Sequence, residues 1–141
     1  MFQLHERLQA DTVLVAEFNL SLVLLNKDAN YPWIILVPKR HNIQEIYQLA
    51  IEDRQQLLHE SCTVAETMTA LFNPDKLNIA TIGNMVPQLH MHHVARFETD
   101  AAWPRPVWGA NPTLQYSSES MASVVQMVRQ QPAIKEMLSG H

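Results

Sequence analysis

Residues 88–97 read Gln88-Leu89-His90-Met91-His92-His93-Val94-Ala95-Arg96-Phe97. Side chains on an extended chain alternate between faces. Taken as a strand, Gln88, His90, His92, Val94 and Arg96 share one face, polar at one end. Leu89, Met91, His93, Ala95 and Phe97 share the other, apolar except for His93. Three histidines that look like one cluster therefore split into a cooperating pair, His90 and His92, and a third that points away. His93 is read as a partly buried side chain bonded to backbone or water. His5, His41, His59 and His141 are read as surface residues.

Working outward, Gly83-Asn84 breaks a preceding strand at 77–82 (LNIATI). Upstream, 12–18 (TVLVAEF), 20–25 (LSLVLL) and 33–37 (WIILV) are β-branched and apolar, as strands require. The short link at Asn19 predicts a hairpin. Pro32 and Pro38 bracket the third run. Between residues 43 and 47 the period changes to a helical turn, and a helix follows over about 52–72. Its apolar stripe is read as Leu58, Cys62, Ala65, Met68 and Phe72, which makes Cys62 a core residue. Asn73-Pro74 stops it. After Asp100 the stretch Trp103-Pro104-Arg105-Pro106-Val107-Trp108-Gly109 excludes regular structure. A last helix is capped by Ser117 or Ser118, buries Met121, Val124, Val125 and Val128, and ends or kinks at Pro132. Strands that cluster instead of alternating with helices predict an α+β fold. The expected sheet is mostly antiparallel and five-stranded, with helices on one face, the other free for a site, and a C-terminal tail helix.

Composition narrows the function. The chain has 141 residues, net charge −4 and 47% apolar residues. This suits one folded domain. No basic face for duplex nucleic acid is visible. The single cysteine, Cys62, excludes an intrachain disulfide and a Cys-based zinc module. Residues 1–10 lack the apolar region of a signal peptide. No apolar run approaches the roughly 18 residues of a membrane span. The expected location is the cytoplasm.

Three readings of His90 and His92 remain open from the residues alone. They are incidental polar residues on an open face, two ligands of a metal ion with Glu98 or Asp100 nearby, or a nucleophile and its assistant. A zinc site would need a third ligand. A neutral imidazole attacks phosphorus, and a neighbour on the same face can assist the leaving group.

The segment from Gly83 to Arg96 resembles the histidine triad (HIT) superfamily of nucleotide hydrolases and transferases. Its signature is His-φ-His-φ-His-φ-φ, with φ apolar, often followed by Pro-Arg. Gln88 stands where the first histidine is expected, His90 at the middle, nucleophilic position and His92 at the third. His93 and Val94 fill the two apolar positions, and Ala95-Arg96 matches the end. An amide can donate and accept hydrogen bonds but cannot shuttle a proton. Residues 24–41 (LLNKDANYPWIILVPKRH) look like the superfamily's strand–turn–strand, and the stretch at 103–109 looks like the tail of a bacterial branch. The resemblance covers about residues 11–97.

The resemblance implies a catalytic domain over 1–110. Residues 111–141 would form an extension packed on the same domain or on a dimer partner. It implies attack by His90 on the α-phosphorus of a nucleotide such as a diadenosine polyphosphate, through a covalent nucleotidyl-histidine. His92 would assist, and Asn84 and Gln88 would stabilise the phosphoryl charge. Asn26 would contact the sugar, with Leu22 and Leu24 flanking the nucleotide or simply core. No metal or other cofactor is implied, and the usual assembly is a homodimer with joined sheets. Trp103 and Trp108 are candidates to stack on a base or a partner or to pack the tail onto its own domain, and Lys39, Arg40 and His41 to touch polyphosphate or to form a solvated strand end.

Overall fold

A computed structural model describes residues 1–140; His141 lies outside the described residues. The elements are α1 (Glu6–Asp11), β1 (Thr12–Glu17), β2 (Ser21–Asn26), β3 (Trp33–Pro38), α2 (Ile51–Phe72), β4 (Lys76–Ala80), β5 (Met91–Arg96), α3 (Ser118–Arg129) and α4 (Pro132–Glu136). All five strands pair antiparallel in the order β1-β2-β3-β5-β4. The expected α+β class is the observed one. β1 and β4 form the edges. β1 carries a bulge that turns both Val15 and Ala16 inward.

The sheet has apolar residues on both faces. On one, Val23, Ile34, Leu36 and Ala95 meet Leu57, Val64 and Met68 of α2, Val125 and Val128 of α3 and Ile134 of α4. On the other, Leu24, Trp33, Ile35, Val37 and Val94 are covered by Leu8 of α1 and by Ala102 and Val107 of the tail. That second face is therefore partly roofed, not free, and the roof makes the walls of a cavity.

Two local readings change. α2 begins with Glu52 and Asp53 in its first turn, suited to the positive helix end, and ends at left-handed Asn73. Its buried side, however, is Leu57, Glu60, Ser61, Val64, Thr67 and Met68. Leu58 is 66% exposed and Cys62 is exposed. On the inward face Glu60 and Ser61 have buried partners, so an apolar count selected the neighbouring stripe. Glu60 accepts the N–H of Leu20 at 3.0 Å. Pro132, expected to break a helix, opens α4 instead, because proline is at ease in a first helical turn.

Candidate active site

β5 starts at Met91, so His90 precedes the strand and His92 lies in it. Their rings still meet edge to face, with centroids 4.9 Å apart. Both are mostly buried, at 7% and 6% exposure. Neighbouring groups fix each proton. His90 Nδ1 lies 2.7 Å from the carbonyl oxygen of Gln88. A carbonyl only accepts, so Nδ1 carries the proton and Nε2 keeps a lone pair. The indole Nε1–H of Trp33 donates to His92 Nδ1 at 3.0 Å, so neutral His92 carries its proton on Nε2. Burial, helped by the neighbouring His90 and His93, pushes His92 down to about 3. The pair thus offers one nitrogen lone pair and one N–H donor.

These two histidines, Asn26 and Asn84 line one cavity of about 1140 Å³. Asn84 follows Gly83, whose φ of 66° belongs to the left-handed region that glycine adopts freely. Asn26 uses its Oδ1 to accept the N–H of Asp28 at 2.8 Å, leaving its NH₂ as a donor.

Gln88 is not among the lining residues of this cavity. Its Oε1 accepts from the N–H of His5 at 2.8 Å and its Nε2 donates to the carbonyl of Gln3 at 2.9 Å. The expected phosphate-facing amide is thus engaged by the N-terminal segment. Leu24 is core and Leu22 packs against it; neither lines the cavity. Lys39 pairs with Glu17 and Arg40 with Asp53, both at 2.7 Å, while His41 is exposed; none of the three lines the cavity. His59 is exposed as read, whereas His5 is half-buried and caps α1 by accepting the N–H of Arg7.

His93 points to the helical face, as the alternation requires. It is fully buried, donating from Nδ1 to the Ile34 carbonyl at 3.3 Å and accepting from the Ser61 hydroxyl at 2.8 Å. The metal reading lacks its third ligand. Asp100 is committed to Arg96 through contacts of 2.8 and 3.1 Å, and Glu98 is exposed. Among the described residues no three His, Cys, Asp or Glu side chains converge as a metal cluster would. Burial opposes the charge of Asp100. The Arg96 guanidinium and the N–H groups of Phe97, Ala102 and Trp103 outweigh that and hold it at about 2.

The HIT domain family model matches residues 7–99. The chain belongs to the HIT domain family. Members of this family typically bind or hydrolyse nucleotides. This HIT domain is similar to the crystal structure of a histidine triad protein from Marinobacter aquaeolei VT8. The identity is 50%, over 97% of this chain and 98% of that one, with TM-score 0.92. A histidine triad protein from Bradyrhizobium japonicum is 43% identical over 92% and 96% of the two chains, with TM-score 0.90. One from Sinorhizobium meliloti 1021 is 35% identical over 92% and 96%, also with TM-score 0.90. No curated protein matches the chain.

Part of the cavity comes from outside the family-matched segment. Trp108, Gly109, Asn111, Thr113, Gln115 and Tyr116 all line it. The Trp108 ring stands 5.2 Å from the His92 ring and 6.0 Å from that of Trp33. The sequence marks Trp108 as a residue that stacks on a ligand or partner or packs on its own domain, and it packs on its own domain beside the cavity; nothing in the sequence marks Trp33 or Asn111. Trp33 orients His92, yet its run WIILV is apolar on both faces, so no alternation marked the residue. Asn111 accepts the Tyr31 hydroxyl at 3.0 Å across 80 residues of sequence, a contact that no local pattern encodes.

Proposed function

We propose that the protein is a nucleotide hydrolase or transferase that acts at the α-phosphorus through a nucleotidyl-His90 intermediate. The observation that carries this reading is the complementary pair of tautomers, a lone pair on His90 Nε2 beside a proton on His92 Nε2. His90 Nε2 attacks phosphorus; the N–P bond forms as the bond to the leaving group breaks, and the leaving group takes that electron pair. His92 donates to a phosphate oxygen or to the departing atom. Water then attacks phosphorus, the N–P bond breaks with its electron pair returning to His90 Nε2, the water's proton passes to solvent, and a nucleoside monophosphate leaves. Asn84 donates to the phosphoryl oxygens as charge builds there. Asn26 holds the sugar, and the aromatic wall of Trp33 and Trp108 receives an apolar or aromatic part of the substrate. Dinucleoside polyphosphates and adenosine phosphoramidate are the substrates to try first, since each presents an α-phosphorus with a leaving group.

The test is product mass analysis after incubation with both substrate types, with and without EDTA. The wild type should release AMP and form an acid-labile adduct. His90→Ala should lower turnover on the order of 10³-fold or more, as removal of a nucleophile does. Unimpaired turnover by that variant would sink the assignment. Nucleotide binding with no turnover in the wild type would select a binding module instead.

The assembly proposed is a homodimer joined at β4. At the other edge, the end of β1 is met by residues 138–139 through a Phe18–Leu138 bridge and the Ser139 N–H on the Glu17 carbonyl. Among the described residues β4 pairs only with β5, and it presents Ile79, 47% exposed. An open edge of this kind is a template for a second strand. Sedimentation at micromolar concentration should return twice the chain mass.

A further inference from the structure

Gln88 sits between the nucleophile and the N-terminal segment. Its carbonyl receives the proton of His90 Nδ1, and its side-chain amide is closed by the backbone of Gln3 and His5. A primary amide presents an acceptor and a donor side by side. That matches the C=O and N–H which an extended segment turns to one side at residues i and i+2, as in a parallel strand pair. The two nitrogens of an imidazole diverge and fit that spacing poorly. The leading position of the motif is therefore built to grip backbone.

What it grips leads into the site. His5 caps α1, Leu8 is buried under the sheet, and the Thr12 hydroxyl donates to the Leu8 carbonyl at 2.6 Å. The Lys27 N–H donates to the Asp11 carbonyl at 3.0 Å, tying the end of α1 to the end of β2. Held in this way, α1 contributes Arg7 and Asp11 to the cavity that His90 and His92 line. Arg7 takes part in none of the ion pairs found among the described residues. Of the acids at the cavity, Asp28 is buried and its Oδ1 already accepts from Asn30 and Leu114. Asp11 is exposed. A free guanidinium at this rim suits a phosphate, which its planar fork can bind with two parallel hydrogen bonds.

We propose that Gln88 is a positioning residue that fastens the N-terminal segment over the site, and that Arg7, delivered by α1, binds the phosphate chain of the substrate. The inference rests on the nucleotide reading above and adds to it a contact from outside the motif. The experiment measures binding of adenosine, ADP and inorganic tripolyphosphate by calorimetry, steady-state turnover, and hydrogen exchange at the His5 amide. Arg7→Gln should weaken ADP and tripolyphosphate about tenfold, raise KM with little change in kcat, and leave adenosine unaffected; Arg7→Lys should recover part of the loss. Gln88→Ala should reproduce the same losses and also speed exchange at His5. The double variant should bind no worse than Gln88→Ala alone, because the two residues act in one chain of contacts. Unchanged ADP and tripolyphosphate affinity in Arg7→Gln overturns the proposal. So does a Gln88→Ala variant that loses kcat at unchanged KM with His5 still protected, since that would put the amide in the chemistry. Arg7 is exposed, so its variant keeps the test decisive if Gln88→Ala fails to fold. Arg7-dependent binding of tripolyphosphate by a wild type that takes no nucleotide would retain the anion contact and overturn the nucleotide reading instead.

Discussion

The chemistry at the scale of single residues depends on which ring nitrogen holds a proton. Two groups decide it, the Gln88 carbonyl for His90 and the Trp33 indole for His92. Trp33→Phe removes the N–H and trims the buried indole to a phenyl ring that can still face Trp108. A hydrogen bond of this kind contributes ~1 kcal/mol, and its loss frees His92 to shift its proton to Nδ1. Turnover should fall about three- to tenfold, with nucleotide affinity nearly unchanged; kcat and Kd measured side by side check it. Equal losses in both would make Trp33 a wall residue rather than an orienting one. The pair His90 and His92 was legible because strand alternation is a local property. Trp33 was not, because its partner lies 59 residues away. Gln88 was legible as a departure from the motif but not as a clamp, since its partners lie 83 and 85 residues away.

Among the elements, the segment after β5 matters most. Arg96 is 1% exposed and lies between the rings of Tyr31 and Trp103, 5.7 Å from each centroid. Asp100 pairs with it and gathers the N–H groups of Phe97, Ala102 and Trp103. Farther along, Asn30 donates to the Pro112 carbonyl at 3.0 Å. The tail is pinned at both ends, with Trp108 between. Asp100→Asn should destabilise the fold by roughly 3–5 kcal/mol, the cost of leaving a buried charge without its partner. It should also weaken nucleotide binding by loosening the Trp108 wall. Urea unfolding reads the first effect and calorimetry the second; a variant as stable as the wild type would refute the anchor. The Trp/Pro composition indicated irregular structure here. It gave no hint that Arg96, read as part of the polar strand face, was the buried post to which that structure is tied.

Across the whole molecule, stability should depend on pH through His93. Burial outweighs its hydrogen bonds to the backbone of Ile34 and Met91 and lowers it from 6.5 to about 4. The unfolded chain therefore takes up a proton that the folded chain refuses. Stability is full above about pH 6.5 and falls as the pH drops toward 4. At 1.36 kcal/mol for each pKa unit, the loss is on the order of 3 kcal/mol. His92, lowered further still, adds in the same direction. A glutamine at 93 can still face both the Ile34 carbonyl and the Ser61 hydroxyl without titrating. His93→Gln should make the acid limb of a stability profile measured between pH 7 and pH 4 shallower, leaving the slope that His92 contributes. Parallel profiles for the two proteins would refute the assignment.

The sequence by itself determined the α+β class, the strand order along the chain, the HIT motif and the split of His90 and His92 from His93. The class, the strand order and the split of the histidines follow from periodicity and turn chemistry among near neighbours, which act before the chain is folded; the motif follows from resemblance to the HIT signature. Tertiary structure decided the rest. It chose the inner stripe of α2, because Glu60 and Ser61 found buried partners. It turned Gln88 away from the cavity, because the backbone of Gln3 and His5 came to lie beside its amide. It set the proton on His92, because pairing of β3 with β5 brought Trp33 within reach. It made the far wall of the cavity from residues beyond the family segment, because Arg96 and Asp100 folded the tail back over the sheet. Each is a contact between residues distant in sequence or a commitment that only burial enforces, and neither leaves a periodic trace.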